Sequence, residues 1–309
     1  MNFSLRPARP DDREEIAALI CDSLNSWYQA HGGTAIFPEG PAGADVFFDV
    51  YDRIEPGHCV VAEDFTTGRL AGSCFYHPRP THVSLGIMNV HPEHFGRGVA
   101  RALLGFITDF TDRGNYPALR LISSAGNLDS FSLYNRAGFV PRAVFQDMVV
   151  AVPPAGLAAS VPGLERVRDA VPADAAAMAA LELAASGVQR GDDYAFCIAN
   201  SNGFWQASVY ESESGVVEGY MISSGHHALN IVGPGVAVTD QVAAALLLRE
   251  LDRHRGRSPL FIVPVDHPEL IRLAYGWGAR NVELHLGQIR GRFQPFRGVV
   301  MPTFLLETA

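Results

Sequence analysis

Residues 91–104 read HPEHFGRGVARALL: a proline and two closely spaced glycines stand directly before a run with helical spacing. Upstream, HVSLGIMNV (82–90) reads as a strand, and Pro92 ends its pairing because proline has no N–H to donate. Downstream, Val99, Leu103, Phe106, Ile107 and Phe110 recur on one helical face, and Gly114 is the expected stop. The stretch is therefore strand, glycine loop, helix. The first turn of a helix carries unpaired N–H groups and the positive end of the macrodipole. Glycines let that backbone approach a bulky anion, and Arg97 and Arg101 add cations that pair with phosphate oxygens. Such a unit is a phosphate cradle; a glycine turn with a solvated Arg97 is the plainer reading of the same residues. Two standard phosphate loops do not fit. GxxxxGK[ST] is absent, and Gly96-Arg97-Gly98 is followed by Val99-Ala100-Arg101 rather than by the rest of GxGxxG.

Working outward, Asn2 to Arg6 is a short strand and Pro10-Asp11-Asp12 starts a helix, with Asp11 as the expected cap and Glu14 answering it. Ile16, Leu19, Ile20 and Leu24 form its apolar stripe. Residues 29–57 are rich in Gly, Pro and aromatics, with one short helix near 46–54. Strands are expected at 58–63, 70–77 and 118–124. NLDSFSLYNRAGF (127–139) is a short helix ended by Gly138, followed by a strand to about Val150.

The loop and the second helix together resemble the GNAT acetyltransferase family. Its pyrophosphate loop, R/Q-x-x-G-x-G/A after V-x-P, is matched by Val90-His91-Pro92 and by Phe95-Gly96-Arg97-Gly98-Val99-Ala100. Its second signature, an Asn followed by LYxxxGF, is matched by Asn127 and Leu133-Tyr134-Asn135-Arg136-Ala137-Gly138-Phe139. The resemblance covers roughly residues 3–150. Phe95 departs from it, standing where the family has Arg or Gln.

The resemblance implies an α/β fold with a twisted, mixed, mostly antiparallel sheet flanked by helices. It implies acetyl-CoA as cofactor, with the amides from Gly96 to Ala100 on the pyrophosphate and Phe95, Arg97, Val99 and Arg101 around it. The strand end Met88, Asn89 and Val90 would pair with the pantetheine arm, and Asn127 and Ser130 would contact that arm. Tyr134 would protonate the leaving thiolate, against its reading as a core tyrosine on a helix. The acceptor would be a small-molecule or peptide amine, attacked directly in a ternary complex. The general base stays open. Ser84 holds the family's carboxylate position and is a poor base. His82 lies two residues earlier on the same strand face and suits base chemistry near neutral pH; it also reads as a turn histidine beside Pro80-Thr81. His77, His91 and a water relayed through backbone carbonyls are the other choices.

VPPAGLAASVPGL (152–164) has the composition of a linker. Beyond it the order of elements restarts. LERVRDAVPADAAAMAALELA echoes SLRPARPDDREEIAALICDSL, VTDQVAAALLLREL echoes the helix after the glycine loop, and HPELIRLAYGWGAR echoes DSFSLYNRAGFVP. The expected organisation is a CoA-binding domain (1–151), a linker (152–164) and a degenerate second copy (165–309). In that copy Asp240 and Gln241 replace Arg97 and Gly98, and Ala274 replaces Tyr134. Gly233-Pro234-Gly235 reads as a plain turn or, alternatively, a further anion loop; His226-His227 as opposite sides of a strand; and Phe293 to Gly298 as a strand or, alternatively, as a border of the acceptor pocket.

Composition bounds the rest. A hydrophobic content of 48% supports a packed core, and a net charge of −9 without a basic block argues against nucleic acid as the main partner. No apolar run reaches the roughly 18–20 residues of a membrane span, and the start MNFSLRPARPDDREE has no signal-peptide core. The four cysteines, Cys21, Cys59, Cys74 and Cys197, have no metal or disulfide spacing, so no metal is expected and the setting is cytoplasmic. A homodimer is compatible with this reading. Two alternatives stand beside an N-acetyltransferase: a non-catalytic acyl-CoA sensor, and a tandem acetyltransferase resembling mycothiol synthase.

Overall fold

The computed structural model describes residues 2–307. Its contacts divide the chain into two compact units, one of residues up to 78 with 82–119, the other of residues 79–81 with 120 onward.

In the first unit, strands β1 (Phe3–Pro7), β2 (Cys59–Asp64), β3 (Leu70–Arg79) and β4 (His82–Val90) lie side by side in that order. β1 and β3 both run antiparallel to β2, with Leu5 opposite Ala62 and Phe75 opposite Cys59. Three helices accompany them: α1 (Arg13–Ala30), α2 (Asp45–Ile54) and α3 (Val99–Arg113). Successive strand residues face opposite sides of a sheet. Accordingly, Phe75 meets Tyr51 of α2 at a ring separation of 5.2 Å, while Tyr76 meets Phe110 of α3 at 4.9 Å. α2 and α3 therefore cover opposite faces.

The second unit contains β5 (Ala118–Ser124, from Arg120 on), α4 (Leu128–Arg136), β6 (Val140–Val149), β7 (Val167–Asp169), α5 (Ala175–Ser186) and α6 (Gly191–Ala199). It continues with β8 (Trp205–Glu211), β9 (Val217–Gly225), β10 (Asn230–Ala237), α7 (Asp240–Asp252), β11 (Leu260–Pro264), α8 (Pro268–Gly276), β12 (Arg280–Gly291) and β13 (Val299–Met301). Strand order is β5-β12-β6-β11-β10-β9-β8-β7, with β13 on β10. The order interleaves the two expected copies. β12, from the second copy, lies between β5 and β6 of the first, and β6 pairs antiparallel with both β12 and β11, Met148 facing Asn281 and Phe261. The segment 152–164 lies inside this unit: Val152 and Val161 are buried in its core, and the Val152 amide donates to the Arg257 carbonyl at 2.9 Å.

The two copies repeat each other in detail. Asp12 accepts from Arg6 at 2.6 Å and from the Arg9 amide at 2.7 Å; Asp174 accepts from Arg168 at 2.7 Å and from the Val171 amide at 2.8 Å. These bonds fix how each first strand turns into its helix. They also correct the expected cap, since Asp12 rather than Asp11 makes the bonds. Pro10 starts a short 3-10 turn, which moves the first α-helical residue to Arg13. A Cβ on Gly72 would stand 2.6 Å from Val99 and 3.1 Å from Leu103; one on Gly219 would stand 2.7 Å from both Val242 and Leu246. Each helix therefore seats on its sheet through a glycine that leaves room for it.

Three local expectations change. Gly233-Pro234-Gly235 is not a turn but lies within β10, where the register against β9 shifts between Val232 and Gly235. Residues 292–298 form no strand: Phe293 packs under the Arg142 guanidinium at 5.2 Å, and pairing with β10 starts only at Val299. His226 and His227 follow β9 rather than lying across it, so their rings meet at 4.3 Å instead of facing opposite ways.

Candidate functional site

The glycine loop adopts the expected local structure. β4 ends at Val90, residues 92–94 make a 3-10 turn, and α3 begins at Val99. Gly96 has φ +73° and Gly98 φ +83°, both in the left-handed region that side chains resist. Gly98 is the N-cap of α3 and offers no capping side chain. A Cβ on Gly96 would meet nothing within 4 Å, so the loop face is open. The first-turn amides of α3 point out of the helix start with the dipole behind them. Arg97 and Arg101 are exposed beside them. This arrangement suits a doubly charged, bulky anion. Phe95 is 49% exposed and contributes a ring, not a charge.

On β4, Met88 and Val90 are half-buried and Asn89 is buried. Neither Oδ1 nor Nδ2 of Asn89 has a hydrogen-bond partner, an arrangement that is costly unless a ligand supplies one. Earlier on the strand, His82 Nε2 lies 3.0 Å from Ser84 Oγ, both side chains being buried. The two residues expected to compete for one role are thus a hydrogen-bonded pair.

In the second unit, Asn127 is the N-cap of α4, and its Oδ1 accepts the Ser130 amide at 3.0 Å. One atom of Asn127 is committed to shaping the helix start, leaving Nδ2 as its donor. Tyr134 is 6% exposed and packs on Phe139 at 5.7 Å. Its carbonyl accepts the Phe139 amide, as the Ala274 carbonyl accepts the Ala279 amide, which places Tyr134 and Ala274 in register.

The matching positions of the second copy are filled by the protein itself. α7 starts at Asp240, and Thr239 Oγ1 accepts the Val242 amide. The Asp240 carboxylate bonds Nδ1 of His267 and accepts the Leu270 amide. One first-turn donor of α7, the Val242 amide, is capped by Thr239, and a negative charge stands where an incoming phosphate would have to sit.

Sequence reading passed over one cluster. Asp147 of β6 and His285 of β12 are buried and bonded at 2.9 Å, and Ser124 donates to Glu283. Burial raises the Asp147 carboxyl above its ordinary range, against the pull of His285. The ligand atoms of Asp147, Glu283 and His285 lie within 4.8 Å of one another. Only the interleaving of β12 with β6 joins residues so distant in the chain. The thiols of Cys59 and Cys197 are pushed up by burial, which suppresses thiolate chemistry at both. Among the described residues no helix is long and apolar enough to cross a membrane.

Comparison with known proteins adds the following. The family model described as "Acetyltransferase (GNAT) family" matches residues 22–139. The UPF0157 protein YqkA of Bacillus subtilis (strain 168) is 31% identical over 72 residues, 23% of this chain, and the chain spans only 20% of that relative's length. A crystal structure of a candidate acetyltransferase from Pyrococcus horikoshii aligns with a TM-score of 0.75 at 17% identity, covering 99% of this chain and 96% of that one. A GCN5-related N-acetyltransferase from Sphaerobacter thermophilus gives 0.66 at 18% identity, over 96% and 97% of the two chains. A tandem GNAT protein from the clavulanic acid biosynthesis pathway gives 0.61 at 15% identity, over 94% and 98%. At such identities the likeness is one of fold.

Proposed function

We propose, from the match of residues 22–139 to the acetyltransferase (GNAT) family model and from the geometry of the glycine loop, that the chain transfers an acetyl group from acetyl-CoA to a primary amine. The observation that carries the reading is the cradle: left-handed Gly96 and Gly98 opening an uncapped helix start, flanked by Arg97 and Arg101. Acetyl-CoA, when bound, supplies an activated acetyl thioester and a thiolate leaving group.

The chain's own residues have separate tasks. The amides from Gly96 to Ala100, with Arg97 and Arg101, hold the pyrophosphate. Val99 anchors the first turn of α3 against Gly72. Met88, Asn89 and Val90 hold the pantetheine arm, the unpartnered amide of Asn89 finding there the bonds it otherwise lacks. Asn127 keeps α4 in register through the Ser130 amide and offers Nδ2 to the same arm. Phe95 covers the outer side of the cradle in place of the family's polar residue.

His82, oriented by Ser84, takes the proton that the amine loses as its nitrogen bonds to the acetyl carbon. The Tyr134 hydroxyl gives its proton to the sulfur as the carbon–sulfur bond breaks. Attack is direct, since burial holds the Cys59 and Cys197 thiols protonated. The second copy is a lobe without a CoA site of its own, its cradle closed by Asp240 and Thr239. The protein works in the cytoplasm, in keeping with its free, buried cysteines.

Calorimetry with acetyl-CoA followed by turnover across an amine panel tests the reading. Binding at one site with acetylation of at least one amine supports it. Binding without turnover leaves a sensor, and absence of binding removes the cradle's assigned role.

A further inference from the structure

Two strands far apart in the chain bring three metal-ligating side chains together inside the second unit. Asp147 stands on β6, and Glu283 and His285 stand on β12. The strands run antiparallel, with Asp147 directly opposite Glu283 and Phe145 opposite His285. Residues opposite each other share a face, and so do residues two apart on one strand, so all three lie on one side of the sheet. His285 Nδ1 is 2.9 Å from Asp147 Oδ1, and the ligand atoms of the three residues lie within 4.8 Å of one another. Asp147 and His285 are buried and Glu283 is half-buried.

This is not a solvated acidic surface. Like charges directly opposite on neighbouring strands repel, and more so out of water. The register shift between Asn281 and Glu283 creates the pair: without the extra residue, Val282 would face Asp147. A bulge thus sets a second carboxylate against one that is already buried. Even with a protonated His285 ring the three groups carry net negative charge. A further acceptor lies along the same face. Gln288 pairs with Pro141, which shares the face of Asp147 on β6. Gln288 is fully buried; its Nε2 donates to Ser123 at 2.8 Å, and its Oε1 has no partner. An acceptor left unpaired there suits a water carried by a cation.

The donor set selects the ion. One imidazole nitrogen with two carboxylate oxygens suits a borderline transition cation, whereas Mg2+ and Ca2+ favour oxygen throughout. Donor atoms on one tetrahedral Zn2+ stand about 3.3 Å apart, which the Asp147–His285 pair nearly meets. Glu283, with its longer and less buried side chain, closes the remainder. Ser124 donates to Glu283, and the Phe304 ring meets the His285 ring at 4.8 Å, so both ligands are held from behind.

We propose that Asp147, Glu283 and His285 form a site for one divalent transition cation, best matched by Zn2+, which fastens β12 to β6. The site stands apart from the acetyl-transfer reading and lies wholly within the second unit.

The test uses the full chain, stripped with a chelator and titrated with Zn2+, Mn2+ or Mg2+ at neutral pH. Calorimetry should show one Zn2+ per chain, saturating at about 10–100 µM metal, with Mn2+ weaker and Mg2+ weakest. Zn2+ should raise the melting temperature, and the chelator should reverse the rise. Glu283→Gln and His285→Gln should each weaken Zn2+ binding at least about tenfold and abolish the melting shift. His227→Ala removes an exposed imidazole away from the site and should change neither. Because His285 is buried and its loss can unfold the chain, Glu283→Gln carries the comparison, with Co2+ as a second probe. The visible absorption of bound Co2+ should change in that variant. Absence of Zn2+ binding overturns the proposal, as does Zn2+ binding that Glu283→Gln leaves unaltered, which would belong to surface groups. Mg2+ bound as tightly as Zn2+ overturns the assigned class of ion.

Discussion

The carboxylate of Asp240 stands 2.6 Å from Nδ1 of His267, joining the start of α7 to the cap of α8. In the first copy the same places carry Arg97 and the cap Asn127, and the helix start is open. The first copy's helix start has no side-chain cap, whereas in the second copy Thr239 caps the helix and Asp240 stands beside it. Calorimetry is therefore expected to give one acetyl-CoA per chain; two would show that the second copy still binds.

The cradle depends on backbone that only glycine takes without strain. Gly96→Val and Gly98→Val each force a β-branched residue into the left-handed region, at a cost of about 1–2 kcal/mol. Each is expected to weaken acetyl-CoA binding at least about tenfold, beyond its effect on melting temperature. Gly105→Ala is the control. Gly105 lies inside α3 with open space around it, so the change should stabilise by about 0.5–1 kcal/mol and leave acetyl-CoA affinity as it was.

Tyr134→Phe keeps the packing on Phe139 and removes only the hydroxyl. As the general acid, Tyr134 should contribute on the order of a hundredfold to kcat, with the dissociation constant for acetyl-CoA unchanged. An unaltered kcat on a good amine substrate would return Tyr134 to the core.

His82 and Ser84 are expected to act as a unit. His82→Gln should lower kcat/KM by about a hundredfold. Ser84→Ala should cost less, about threefold to tenfold, because it releases the ring without deleting the base. Equal losses from the two changes would point to a purely structural bond.

Acid stability offers a test away from the site. His254 is buried beside Arg257 and Arg253, and burial with those charges lowers its imidazole to about 4. Its Nδ1 meets Asn230 Oδ1 at 2.6 Å, and its Nε2 has no partner to hold a second proton. Above about pH 6.5 both folded and unfolded states carry a neutral ring and His254 contributes no pH dependence. As pH falls from there to about 4 the unfolded state gains a proton that the folded state refuses. Stability should drop by up to roughly 3 kcal/mol in that window and level off below it. His254→Gln, compared by chemical denaturation at pH 7 and pH 4.5, should flatten this part of the curve.

Much of this was legible in the chain because the deciding contacts are local. The loop 95–100 and the helix start that follows are neighbours in sequence, and left-handed glycines announce themselves by residue type. The repeat was also readable from the order of elements, and Ala274 and Asp240 fall where that order puts them. The cap at Asp12 was misplaced by one residue because either aspartate satisfies the pattern, and only the Arg6 contact decides between them. The pairing of Asp147 with His285 could not be read at all, since it depends on which strand slides between which.

The interleaved order β5-β12-β6-β11 also bears on synthesis. As the ribosome releases the chain, β5 and β6 emerge early, yet the strand that joins them, Arg280–Gly291, comes near the end. At about 5–20 residues per second the gap is on the order of ten seconds. Throughout it two strand edges stand open, and a sister chain carrying its own β12 presents the same partner. Nascent chains on one polysome are thus exposed to a trade of last strands, and a transcript cut short before Arg280 leaves a product with no way to close its sheet except against another molecule.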